Sequence, residues 1–150
     1  MNFWMYITSN KIINAAVIAW FIAQSLKVIA VLIEKRKLDF SRLVGSGGMP
    51  SSHASTMTAL VTMVARIHGF ASTYFAISVI IALVVMYDAT GVRRAAGKQA
   101  VVLNKMMDNI GTNQDPEFWG GKLKELIGHT PFQVFVGGLL GIIIAMFMTV

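Results

Sequence analysis

His53, Asp88, Arg93, Arg94 and His129 are the side chains of this sequence best suited to chemistry, and each stands at or near the edge of an apolar run. Histidine exchanges protons near neutral pH and can act as a nucleophile. Guanidinium groups match phosphate oxygens with paired, charge-assisted hydrogen bonds. The stretch Gly45-Ser46-Gly47-Gly48-Met49-Pro50-Ser51-Ser52-His53 joins a glycine-rich segment to Ser51 and Ser52, good N-cap residues for a helix. Free N–H groups and the dipole at a helix N-terminus attract an anion, and glycine lets backbone approach it closely. An ordinary loop and N-cap would look similar. A histidine in the first turn shifts the reading toward a phosphate site.

Asp88-Ala89-Thr90-Gly91-Val92-Arg93-Arg94 supplies one acid and two guanidiniums, although an Arg-Arg pair also serves as a simple cytoplasmic anchor. In His129-Thr130-Pro131-Phe132-Gln133, Thr130 at the N-cap, Pro131 at the first helical position and Gln133 at the third predict a capping box. That leaves only His129 without a structural reason. Lys27 lies inside an apolar run, where a cation pairs or snorkels to the interface. Gly137 and Gly141 predict close helix packing rather than chemistry. His68 falls on the opposite side and receives no role. The absence of cysteine excludes disulfides, thiolate zinc sites and a thiol nucleophile.

Elements must hold these groups in one layer. Of the 150 residues, 55% are hydrophobic and 13% charged, with a mean hydropathy of +0.65. A soluble domain carries about 25% charged residues, so this composition suits lipid as solvent. A net charge of +6 and a pI near 9.9 fit cytoplasmic loops beside anionic headgroups, and no nucleic-acid partner is expected. A membrane crossing needs about 20 apolar residues. Segments 12–33, 70–88 and 131–150 qualify, while 52–68 is shorter, rich in Ser, Thr and Met, and expected to pack inside the bundle. The expectation is an all-α integral membrane protein with a single transmembrane domain over residues 1–150. It is a bundle of about four transmembrane helices, with a short interfacial helix over Val92 to Met107 in the long loop between spans three and four. Asn109 to Gly121 is expected to be irregular. A cleaved signal peptide fits the first run poorly, since the run exceeds an h-region and no short basic segment precedes it. Loops 34–49 and 88–130 hold most of the Lys and Arg residues, so the charge rule makes their side cytoplasmic and both termini external. Lys27, His53, Asp88, Arg93, Arg94 and His129 then share the cytoplasmic layer.

Taken together, Ala23-Gln24-Ser25-Leu26-Lys27, Gly47 through His53, Met86 through Arg94, Gly97 to Asn104 and Leu123 through Gly141 resemble the divergent branch of the type 2 phosphatidic acid phosphatase superfamily, which includes vanadium-dependent haloperoxidases. Gly-Gly-Met-Pro-Ser-Ser-His and Tyr-Asp-Ala-Thr-Gly-Val-Arg-Arg are its most specific stretches. The resemblance implies that one histidine attacks phosphate, giving a phosphohistidine that water hydrolyses, while a second histidine protonates the leaving alcohol. Lys, Arg and backbone amides hold the phosphoryl oxygens, without a metal or other cofactor. Carried over, His129 is the nucleophile and His53 the general acid, with Pro50, Ser51 and Ser52 shaping the anion site. Lys27, one or both of Arg93 and Arg94, and Arg42 as a stand-in for the first-motif arginine bind phosphate. The chain departs from the parent pattern in several places. Ser52 replaces a motif glycine, no Arg-Pro follows Lys27, and 34 positions separate Arg94 from His129. Gln133 stands where the parent has Asp, which makes Asp88 the substitute acid. The parent's larger helical core raises the expectation of a second copy, as a homodimer or higher homo-oligomer.

These expectations converge on a lipid phosphate phosphatase at the cytoplasmic face of a bacterial cytoplasmic membrane, acting on phosphatidylglycerol phosphate or phosphatidic acid. The alternatives are a non-catalytic binder or carrier of phosphorylated lipid, and a small structural membrane protein.

Overall fold

The computed structural model describes residues 3–36, 48–110, 121–125 and 127–150. Arg42 and the glycines at 45 and 47 lie outside the described residues, as does 111–120 of the long loop. The described residues form six helices and no strand: α1 (Phe3–Ser9), α2 (Lys11–Lys35), α3 (Ser52–His68), α4 (Thr73–Thr90), α5 (Val92–Ile110) and α6 (Pro131–Phe147).

Local chemistry sets the helix ends. The Asn10 side chain accepts from the N–H groups of Ile12 and Ile13 and starts α2; Ser51, Ser72 and Thr130 do the same work for α3, α4 and α6. Gly69, at φ 81°, ends α3 with its N–H on the Ala65 carbonyl. The capping box read from Thr130 and Gln133 is present in full, with Pro131 opening the helix. Helix α5 follows α4 after the single residue Gly91 and runs to Ile110, three residues past the expected end at Met107.

Helix α3 is the hub, with α2, α4 and α6 all packed on it. Its partners approach closely because the contacts are small. The core is Ala15, Ala19, Ala59, Met63 and Ala145. A Cβ on Gly137 would overlap the backbone of Ser51, and one on Gly141 would overlap the Ser55 carbonyl and the Thr58 hydroxyl. Two side-chain hydrogen bonds lock the approach: Thr58 Oγ1 donates to the Gly138 carbonyl at 2.8 Å and Ser55 Oγ to the Ala19 carbonyl at 3.2 Å. Small residues with interhelical hydroxyl bonds are the packing mode of helices in lipid, where burial of apolar surface gives no driving force.

The large apolar residues point the other way. Ile33 and Phe70 are each 77% exposed and Phe147 is 87% exposed. Small residues inside and bulky apolar ones outside suit a lipid environment. Two stretches, Lys11–Ile33 and one within Thr73–Asn109, are long and apolar enough to cross a bilayer; α6 is apolar but 17 residues long. At 1.5 Å per residue, α2 measures about 37 Å. Helix α3 is the least apolar of α2, α3, α4 and α6, and two of its hydroxyls, on Ser55 and Thr58, are turned to its neighbours.

Candidate active site

The contacts fix the relative directions of the helices. Ser51 at the start of α3 meets Gln133 and Gly137 at the start of α6, while Lys27, late in α2, meets Ser52. One end of the bundle therefore gathers the starts of α3 and α6, the end of α2 and the junction of α4 with α5.

The long segment between Arg94 and His129 returns to that junction. The His129 N–H donates to the Ala89 carbonyl at 3.0 Å. Gly128, at φ 141°, lies so close to α5 that a Cβ would sit 2.5 Å from the Arg94 nitrogen. Gly97 provides a second close approach, with its missing Cβ only 2.6 Å from the Glu125 carbonyl. Between them Asn104, buried on α5, donates Nδ2 to the Leu123 carbonyl (2.9 Å) and to Glu125 Oε1 (2.8 Å), and accepts the Leu123 N–H at 2.9 Å. Residues 34 positions apart in sequence thus become neighbours in space.

The two histidine rings meet edge to face, centroids 6.0 Å apart and planes inclined by 62°. His129 is only 2% exposed, and its Nδ1 lies 3.4 Å from Gln133 Oε1. That oxygen also accepts the Thr130 N–H at 3.0 Å, so one amide caps α6 and orients the imidazole. An amide oxygen accepts only, so the contact with Gln133 calls for a proton on Nδ1, and the Gly48 backbone is a second hydrogen-bond partner of the ring. Burial, followed by the Lys27 ammonium, pushes the His129 pKa down to about 4. At neutral pH the ring is an uncharged base. His53 Nδ1 is buried without a hydrogen-bond partner among the described residues.

A cavity of about 230 Å³ opens beside His129, its polar lining made by Arg94, Lys98, Glu125, His129 and Gln133 with the backbone of Gly48. Arg94 makes no hydrogen bond or ion pair among the described residues. Arg93 differs: its Nε lies 2.5 Å from Asp88 Oδ2, and both side chains are more than a third exposed. Asp88 therefore braces Arg93 and contacts neither imidazole. Lys27 is 2% exposed and donates Nζ to Ser52 Oγ at 3.1 Å, while Gly48 packs over its side chain. Ser51 is the N-cap of α3, and its own N–H donates to the Gln133 carbonyl at 3.1 Å. The structure thus joins Lys27, Ser51, Ser52, His53, Arg94 and His129 around one end of the bundle, with the Asp88–Arg93 pair at its rim. Among the described residues no set of three His, Asp or Glu side chains could hold a metal ion.

Sequence reasoning missed Lys98, Asn104 and Glu125. Lys98 follows Arg94 by four residues on α5, a spacing that puts both on one helix face. Glu125 carries no such local signal; only the fold of the return segment brings it to the cavity. A second, apolar groove of about 540 Å³ lies between α4 and α6, lined by Leu83, Val84, Met86, Tyr87, Thr90 and Val134. Thr90 and Val134 directly follow Ala89 and Gln133, the two residues that hold His129.

Comparison with known proteins gives a consistent picture. The family described as "Divergent PAP2 family" matches residues 8–144. The chain is 44% identical over 151 residues to the uncharacterized membrane protein YuiD of Bacillus subtilis (strain 168), covering 95% of this chain and 96% of that one. No solved structure matches.

Proposed function

The chain belongs to the divergent PAP2 family, and from that premise we propose that it is a membrane-embedded lipid phosphate phosphatase working through a phosphohistidine on His129. The observation that carries this reading is the meeting of His53 and His129, 76 positions apart in sequence, beside a cavity lined by Arg94. An uncharged buried imidazole is a competent nucleophile, and His53, which does not itself line the cavity, meets it at a centroid separation of 6.0 Å.

In the proposed reaction the Nε2 lone pair forms the P–N bond as the P–O bond to the lipid alcohol breaks. The departing oxygen takes a proton from His53. Arg94 and Lys98 neutralise the phosphoryl oxygens, the term that dominates catalysis of phosphoryl transfer. Water then attacks phosphorus and gives its proton back to His53, the P–N electron pair returns to Nε2, and phosphate leaves. Gln133 holds the ring through Nδ1–H, although its amide offers the phosphorylated ring no countercharge.

The apolar groove between α4 and α6 supports a lipid alcohol as leaving group, because it ends beside the residues that hold His129. The apolar exterior, and the membrane name carried by the Bacillus relative, support four crossings by α2, α3, α4 and α6. Short α3 is sheltered at the centre of that bundle. Under the charge rule the site faces the cytoplasm of a bacterial cell and the termini lie outside, which favours phosphatidylglycerol phosphate or phosphatidic acid as substrate. A second copy completing the bundle belongs to the same proposal.

The test is phosphate release by purified protein in mixed micelles, without added metal. The panel holds phosphatidylglycerol phosphate, phosphatidic acid and an isoprenyl diphosphate. Turnover of a monoester that disappears in both His53→Ala and His129→Ala, with vanadate as inhibitor, is the expected result. No release from any lipid by a folded protein that binds them would favour the second reading, a non-catalytic carrier. That reading is motivated by Gln133, an amide where phosphohistidine chemistry is better served by a carboxylate.

A further inference from the structure

Glu125 places a carboxylate on the wall of a cavity whose other charged lining residues are Arg94 and Lys98. Among the described residues lining the cavity it is the one acid. Its position is built rather than incidental. The Glu125 carbonyl rests against Gly97, where a side chain would not fit, and also accepts the Ile127 N–H at 3.0 Å. Its Oε1 is held at 2.8 Å by the amide of Asn104, itself only 4% exposed. A buried amide fixes one carboxylate oxygen of Glu125, which is otherwise exposed along the cavity wall. A negative charge in a pocket for phosphate weakens phosphate binding, so its effect there is on something other than affinity.

We propose that Glu125 is a specificity residue that makes the site select a single phosphoryl group over a diphosphate. The inference rests on the phosphate-site reading above and narrows its substrate class to monoesters. The charge arithmetic is simple. Arg94 and Lys98 against Glu125 leave one net positive charge on the lining. A phosphomonoester carries about −1.5 to −2 near neutral pH, and a diphosphate carries more. Repulsion from a fixed carboxylate grows with ligand charge, so the second phosphoryl group meets a penalty that the first alone does not. Selection by a repulsive element is a recognised route to specificity.

The test separates the charge of Glu125 from its hydrogen bond. Glu125→Gln keeps an oxygen for Asn104 to donate to but removes the charge. Glu125→Asp keeps the charge but shortens the reach to Asn104. Dissociation constants for inorganic phosphate and inorganic pyrophosphate are measured on the purified protein in detergent, at low and at high salt. At low salt, Glu125→Gln is expected to shift the ratio of the two constants about tenfold toward pyrophosphate. The shift should shrink at high salt through screening, and Glu125→Asp should keep the wild-type ratio. The same ratio in Glu125→Gln as in wild type, or an equal shift in Glu125→Asp, would overturn the proposal. If wild type hydrolyses a lipid monoester while the ratio stays fixed, only the selectivity of Glu125 falls. If wild type binds neither anion, the phosphate-site reading falls with it.

Discussion

Arg66 and Arg94 are both half-buried arginines at opposite ends of one bundle, and they are used in opposite ways. The Arg66 Nη1 donates to the carbonyls of Ala145 and Met148, the latter at 2.7 Å, and lies 3.8 Å from Met63 Sδ. It closes the end of α6, where a cation also meets the negative end of the helix dipole. Arg94 has no such partner among the described residues and lines a cavity beside a buried histidine. The histidines divide likewise: exposed His68 lies against Tyr74 with ring planes tilted by 45° and centroids 4.9 Å apart, whereas His129 is buried and oriented by Gln133. Residue type says little about role; what matters is whether the protein's own backbone already satisfies the polar group.

The contrast can be broken by substitution at each end. The largest effect belongs to the histidine end. His53→Ala is expected to lower kcat by roughly 10²–10⁴-fold, the range of a general acid, and His129→Ala to abolish turnover. Arg66→Met should leave turnover per folded molecule within about twofold of wild type, well inside the 10-fold that 1.4 kcal/mol represents. Assays normalised to folded protein by size-exclusion chromatography check both arms. Next in size is the division between adjacent arginines. Arg94→Lys should cost roughly tenfold or more in kcat/KM through loss of the planar fork, and Arg93→Lys only a few-fold, because Arg93 is an exposed partner of Asp88. Equal losses would erase the distinction drawn from the cavity lining.

Smaller effects concern stability. Arg66→Met strands carbonyls at the end of α6 and should lower unfolding stability by about 1–3 kcal/mol, read as a denaturation midpoint in detergent. The last effect is a pH dependence. The folded pKa of His129, at about 4, lies below the unfolded value near 6.5, so between these values the unfolded chain binds more proton. This contribution to stability is complete above pH 6.5 and is lost as pH falls toward 4. His129→Gln should flatten the decline of the melting midpoint over that window, and an unchanged slope would argue against a buried neutral ring.

Much of this was legible in the sequence where the governing interactions are local. The capping box of Thr130 and Gln133, the N-cap at Ser51 and the helix from Val92 depend on residues within a turn of one another. The packing of Gly137 and Gly141 follows from their spacing and small size. The family resemblance, too, rested on short contiguous stretches. What escaped is what the return segment builds. Glu125 reaches the cavity only because Asn104 and Gly97 clamp a segment far along the chain. The short helix α1 lies before the first apolar run, outside the elements that the sequence predicts.

The central claim is that His129 carries the phosphoryl group, and the most direct measurement is its location. The protein is mixed with a turned-over lipid monoester labelled in its phosphate, quenched in alkali to preserve a P–N bond, digested, and mapped by mass spectrometry. Phosphate is expected on the peptide containing His129, and is expected to be absent in His129→Ala. Phosphate on another residue, or rapid turnover with no phosphorylated peptide, would contradict it.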